Sequence, residues 1–252
     1  MAFSKALVTT ELDVSQPSCL KEAMECLLTL LEKDSDQDLD ENMRTESCTH
    51  AMNILRALFR HSLLGELVAP YVSRGVMAAI TGFKGDTWAS RNAATLLFGA
   101  LIIRIFGVKH SRDELNRRNR MTGRVFFERF PSLYDFLLGE LKEAADVSTE
   151  KSDSATSSSL HLFPSLFPVL LILSRLYPSS LEGTDSNLQL SAFIPFVECC
   201  LKSKIYKTRE LAARAMVPLI TSNVYVSHLD GAFSKAMNVG VEQNNIHGIL
   251  LQ

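Results

Sequence analysis

Trp88-Ala-Ser-Arg-Asn-Ala-Ala94 returns in altered form as Tyr206-Lys-Thr-Arg-Glu-Leu-Ala212. In each copy an aromatic residue is followed three positions on by an arginine, Arg91 or Arg209, and then by a small residue, Ala94 or Ala212. The match continues with Phe98 against Met216, Leu101 against Leu219 and Ile102 against Ile220. A short turn, Phe83 to Gly85 or Ser203 to Lys204, precedes each copy. Residues three and four apart share one face of a helix, so this spacing predicts a helix that buries the alanine side. A small alanine lets a neighbouring helix approach, and the arginine can bind carbonyls or an acid in the adjoining turn. Those are the requirements of the second helix of a HEAT-like hairpin. The expected fold is therefore all-α, an armadillo/HEAT-like α-solenoid of stacked helix pairs in which each hairpin buries its face against its neighbours.

Outward from the two copies the periodicity stays helical. From Ser47, apolar residues fall at Ala51, Leu55 and Leu58, with Met52 and Phe59 beside them. Val68, Val72, Val76 and Ile80 make a second stripe, with Pro70 expected to start or kink that helix. Asp86 is expected to cap the next helix and Gly107 to end it in a left-handed conformation. Pro131 suits the first turn of a further helix with Leu133, Leu137 and Leu141 on one face. Helices are also expected over 167–177, 192–202 and 207–220, and no alternating pattern calls for a sheet.

Two polar stretches punctuate the helices. Residues 33–42, KDSDQDLDEN, carry five acids and read as a solvated loop. Residues 144–159 are rich in Ser, Thr and charge and read as a disordered insertion. The expected organisation is an N-terminal helix and acidic loop over 1–46, helical repeats over 47–143, the insertion over 144–159 and further repeats over 160–252.

Composition narrows the function. The chain has 252 residues, is 46% hydrophobic and carries a net charge of -2, so only local clustering can signal nucleic acid. Its five cysteines form no C-x-x-C pair and are expected to be reduced thiols of a cytosolic protein, without a structural zinc. The longest apolar runs, Leu96 to Val108 and Phe163 to Leu173, fall short of the roughly 18–20 residues of a membrane span. Both are expected to be buried helices, and no transmembrane segment is expected. No nucleotide-binding glycine loop, G-x-S-x-G or H-E-x-x-H is present, and the six histidines are scattered. A catalytic role, a metal and a bound cofactor are therefore not expected.

The one anomaly in charge is KHSRDELNRRNRMTGRVFFER at 109–129. Lys109, Arg112, Arg117, Arg118, Arg120 and Arg124 are the candidate contacts there, with Arg129 a seventh cation against Asp113, Glu114 and Glu128. Arginine grips phosphate bidentately and stacks on bases, so one reading is contact with an RNA backbone. The other is a solvated loop between repeats whose arginines cap helix ends and pair with acids. Phe126, Phe127 and Phe130 are expected in the core rather than as stacking platforms.

Three stretches carry a family resemblance. They are Arg91-Asn-Ala-Ala-Thr-Leu-Leu-Phe-Gly-Ala-Leu-Ile-Ile-Arg-Ile-Phe-Gly-Val-Lys109, Met121-Thr-Gly-Arg-Val-Phe-Phe-Glu-Arg-Phe-Pro-Ser-Leu133 and Lys207-Thr-Arg-Glu-Leu-Ala-Ala-Arg-Ala-Met-Val-Pro-Leu219. Together they resemble the thyroid adenoma-associated protein family, described by a domain of unknown function over this region. The resemblance implies a large cytosolic α-solenoid that regulates, without catalysing, a separate 2'-O-ribose methyltransferase acting on nucleotide 32 of the tRNA anticodon loop. It implies that methyltransferase and tRNA as partners. An alternative it also carries is a protein-interaction solenoid without RNA contact, such as a regulator of an endoplasmic reticulum calcium pump. Members of the family are several times longer, so the chain is expected to be a fragment or short form, truncated at its C-terminus. The resemblance tips the arginine segment toward RNA contact.

Overall fold

The computed structural model describes residues 19–32, 41–107, 121–150, 163–178, 189–220, 224–237 and 243–252. These hold eleven α-helices and no strand; Thr122 and Tyr177 form an isolated parallel bridge. The helices divide into two compact units, residues 1–110 and 111–252. Each consists of packed helix pairs of the α-solenoid type.

The first unit contains α1 (Cys19–Glu32), α2 (Glu41–Arg60), α3 (Val72–Gly82) and α4 (Trp88–Phe106). Helix α2 begins six residues before the expected Ser47, inside the stretch assigned to the acidic loop. Glu41 in its first turn faces the positive end of the helix dipole, which favours helix there. A 3-10 turn, Ala69–Tyr71, carries Pro70 and leads into α3, so the proline starts that helix. Thr87, and not Asp86, caps α4: its hydroxyl accepts from the Ser90 N–H at 3.2 Å. Either residue type can cap, and the one three positions before a free N–H does so. Gly107 ends α4 with φ 76° and ψ 179°. Its φ is left-handed while its ψ is extended, a combination in which a Cβ is badly accommodated.

Helix α4 is the centre of this unit and packs on both α2 and α3. Ala94, Leu97 and Leu101 are fully buried on it, each leucine contributing about 1.5–3 kcal/mol. The role of Ala94 is steric: a Cβ on Gly82 of α3 would sit 2.8 Å from the Ala94 Cβ, so two small residues set the approach of the helices. With 19 residues, α4 is long and apolar enough to cross a membrane by length and composition. Its apolar face is nevertheless occupied by protein, and its arginines reach polar backbone, as described below.

The second unit contains α5 (Gly123–Arg129), α6 (Ser132–Glu150), α7 (Leu166–Leu173), α8 (Ile194–Cys200), α9 (Tyr206–Leu219), α10 (Tyr225–Ala236) and α11 (Gln243–Leu250). Pro131 stands immediately before α6, and Leu133, Leu137 and Leu141 are buried on one face. That stripe continues to the buried Ala144, and α6 runs to Glu150. The first residues of the expected insertion are therefore helical, because the alanines at 144 and 145 extend a face already paid out by the leucines. Residues 151–159 of the insertion lie outside the described residues. Helix α9 is the centre of this unit, packing on α7, α8 and α11. Ala212, Met216 and Leu219 are buried on it and Ile220 is buried just beyond its end, as their counterparts are buried on α4.

Candidate functional site

Arginine placement is the organising feature of the polar chemistry. Arg91 donates from Nη1 to the carbonyls of Gly85 and Asp86, both at 2.8 Å, in the turn before α4. Arg209 donates from Nη1 to the Ser203 carbonyl at 2.5 Å, in the turn before α9. The two copies of the motif thus use their arginine for one purpose, fastening the turn to the helix that follows. Arg209 is buried and also donates from Nε to His247 Nδ1 at 3.2 Å. The aromatic of the motif behaves differently from its partners: Trp88 is 73% exposed and Tyr206 54%.

Two further arginines act over long sequence distances, and nothing in local spacing signals them. Arg104, in the last turn of α4, donates from Nε to the Phe59 carbonyl at 2.9 Å and from Nη2 to the His61 carbonyl at 2.9 Å. These carbonyls close the C-terminus of α2, where helical carbonyls lack intrahelical partners. Arg74 of α3 binds Glu25 and Glu32 of α1 at 2.6 and 2.7 Å. These two carboxylates raise the Arg74 guanidinium pKa further still, and Arg74 in turn holds the Glu32 carboxyl below its ordinary value.

Of the six cations predicted to contact RNA, Lys109, Arg112, Arg117, Arg118 and Arg120 lie outside the described residues. Arg124 is the one described. It sits in the first turn of α5 and donates from Nε to Glu128 Oε1 at 2.7 Å, an i,i+4 pair on the solvent side. Only that edge of its planar fork is engaged; its Nη groups bind no acceptor among the described residues.

The ground beneath Arg124 is firmly built. Thr122 caps α5, accepting from the Val125 N–H at 3.4 Å. The Tyr177 N–H donates to the Met121 carbonyl at 3.0 Å. Phe126 and Phe127 are fully buried and Phe130 nearly so, which places all three in the core as the sequence suggests. Phe127 meets Phe126, Tyr134 and Phe193 with ring centroids 5.0, 5.3 and 5.6 Å away. Arg129 lies over the Phe130 ring at 5.3 Å, a cation–π contact. The segment that carries the arginines is thereby rooted in an aromatic cluster at its C-terminal end.

Groups for bond-making chemistry are sparse among the described residues. No cluster of three His, Cys, Asp or Glu side chains could hold a metal there. The five cysteines are free thiols. Burial, with Cys199 alongside, pushes the Cys200 thiol up to about 12, so it is a protonated core group and not a nucleophile.

Comparison with known proteins places the whole chain. The family model for THADA/TRM732, DUF2428, matches residues 2–89, and the model for Trm732, C-terminal TPR repeats, matches residues 91–252. The tRNA (32-2'-O)-methyltransferase regulator THADA of dog (Canis lupus familiaris) is 44% identical over 253 residues, covering 99% of this chain and 12% of its own length. Human THADA, of the same description, is 43% identical over 257 residues, with 99% and 12% covered. The regulator trm732 of Schizosaccharomyces pombe is 34% identical over 209 residues, with 80% and 13% covered. The chain therefore spans 12–13% of the length of these curated relatives. No solved structure matches. TPR and HEAT repeats are both stacked helix pairs, so the repeat model agrees with the helical architecture.

Proposed function

This chain belongs to the THADA/TRM732 family, and on that premise we propose that it is part of a non-catalytic regulatory subunit supporting 2'-O-ribose methylation of nucleotide 32 in the tRNA anticodon loop. The observation that carries the proposal is the extent of the relation: regulators of that one description match 99% of the chain in mammals and 80% in fission yeast. The regulated methyltransferase supplies the methyl donor and the chemistry. This chain supplies helical surface in the cytosol, and its partners are the methyltransferase and tRNA.

Within that role we assign the arginines of 109–124 to tRNA phosphate. Arg124 supports the assignment, with an exposed guanidinium engaged on one edge and mounted on a capped helix above an aromatic core. Each phosphate neutralised releases counterions, so the contact has a measurable salt dependence. The test is tRNA affinity across a salt series for the intact protein and for a variant with Arg117→Glu, Arg118→Glu and Arg120→Glu. Weaker binding with a shallower slope is expected. A protein-docking solenoid without RNA contact, such as a calcium-pump regulator, would show no salt-dependent tRNA affinity to begin with.

A further inference from the structure

Helices α8, α10 and α11, all of the second unit, line a cavity of about 300 Å³. Two close contacts hold its walls together. Gly248 of α11 packs so tightly on the Leu201 carbonyl, at the end of α8, that a Cβ there would not fit. The Tyr225 hydroxyl donates to the Gln252 carbonyl at 3.3 Å and ties the start of α10 to the end of α11. Pro195, Leu201 and Ile249 give the cavity an apolar side.

The polar side chains of the lining are not used by the fold. Glu198 on α8 and Lys202 in the turn after it both line the cavity, four residues apart. Glutamate and lysine at that spacing ordinarily pair on a helix. Here no ion pair joins them, and neither meets another charged or hydrogen-bonding side-chain partner among the described residues. His228 Nε2 and Gln252 Oε1 are buried without a hydrogen-bond partner, and both belong to lining residues. Buried polar atoms in folded proteins nearly always have a partner, so two orphans at one cavity point to a bound group that supplies it. Gly231 of α10 adds an independent sign. Glycine inside a helix is less stable than alanine, yet a Cβ at Gly231 would meet nothing within 4 Å. No protein neighbour accounts for its small size, and it stands at the cavity wall.

The lining also defines what it can hold. The Glu198 carboxylate and the Gln252 amide oxygen accept hydrogen bonds and suit an ammonium group. Lys202 suits a carboxylate, and His228 Nε2 donates or accepts according to tautomer. The apolar side suits a hydrocarbon group. A volume of about 300 Å³ lies at the small end of ligand cavities and fits a metabolite rather than a large cofactor. We propose that this cavity binds a small zwitterion of the free α-amino-acid class. The proposal is independent of the tRNA role above, and its failure leaves that role standing.

The experiment presents single L-amino acids to the intact protein and reads two signals. One is the melting temperature, which a ligand of the folded state raises with its concentration. The other is alkylation of Cys199, which lines the cavity, against that of the exposed Cys19 and Cys26, which lie in the first unit. At least one amino acid is expected to raise the melting temperature and to slow alkylation at Cys199 alone. The same molecule without its carboxylate, or with its amine acetylated, is expected to do neither. Glu198→Gln and Lys202→Gln, both at solvent-reached positions, are each expected to weaken binding about tenfold or more. Gly231→Leu is expected to abolish it by filling the cavity. Absence of both signals for every amino acid overturns the proposal. So does binding that survives loss of the carboxylate or amine, or that is unchanged in Glu198→Gln and Lys202→Gln. Protection of Cys199 by the methyltransferase and by no amino acid identifies a protein-binding surface and also overturns it.

Discussion

Arg74 on α3 holds both carboxylate oxygens of Glu32 at the end of α1, through Nε at 2.7 Å and Nη2 at 2.8 Å. This fork-to-carboxylate contact, with Glu25 on the remaining Nη1, ties α1 to the hairpin that follows it. The hydrogen bonds to Arg74 lower the Glu32 pKa in the folded protein. A lowered folded value means stability that is present above the unfolded carboxylate pKa, about 4.3, and is lost as pH falls through the folded value. Glu32 is 44% exposed, so solvent limits the contribution to at most about 1 kcal/mol. Glu32→Gln is expected to lower stability slightly at pH 7 and to match the parent under acid conditions where Glu32 is protonated. Urea melts of both proteins across pH check this.

The two motif arginines are expected to differ in cost. Arg209 is buried and its removal strands the Ser203 carbonyl and His247, so Arg209→Ala should cost about 2–3 kcal/mol. Arg91 makes two carbonyl contacts at the surface, where water can replace it, and Arg91→Ala should cost about 0.5–1 kcal/mol. Denaturant titration of the pair reads the difference; equal costs would contradict the burial argument.

Two glycines are expected to respond in opposite senses to alanine. A Cβ at Gly248 would lie 2.2 Å from the Leu201 carbonyl oxygen, so Gly248→Ala should push α11 from its seat and increase hydrogen exchange there. A Cβ at Gly99, inside α4, meets nothing within 4 Å. Gly99→Ala should therefore raise stability by about 0.5–1 kcal/mol through helix propensity alone, as a thermal melt would show.

What was legible in the sequence was whatever repeats within a turn or two of helix. The Leu133, Leu137, Leu141 stripe, the burial of Ala94 and Ala212, and the stop at Gly107 all follow from local spacing. The helix expected over 167–177 is shorter, Leu166–Leu173, and the one expected over 192–202 is α-helical over Ile194–Cys200. Helix ends were harder. Asp86 and Thr87 are adjacent residues of similar capping power, and a one-residue shift in register decides between them. Glu41 and Ala144 extended helices into stretches whose composition reads as loop. The long-range contacts were not legible at all: Arg104 reaches Phe59 and Arg74 reaches Glu32 across more than forty residues, and no short pattern encodes such pairs. The candidate site was read as a cluster of charge, and of its six candidate contacts the described residues include Arg124 alone.

The most direct measurement is reconstitution of the intact protein with the candidate ribose methyltransferase, tRNA and methyl donor, scored at nucleotide 32. The account predicts 2'-O-methylation when protein and methyltransferase are both present, none from the protein alone, and a marked loss with Arg117→Glu, Arg118→Glu and Arg120→Glu in a protein that remains folded. Methylation at nucleotide 32 by the methyltransferase alone, at the same rate with or without the protein, would contradict it.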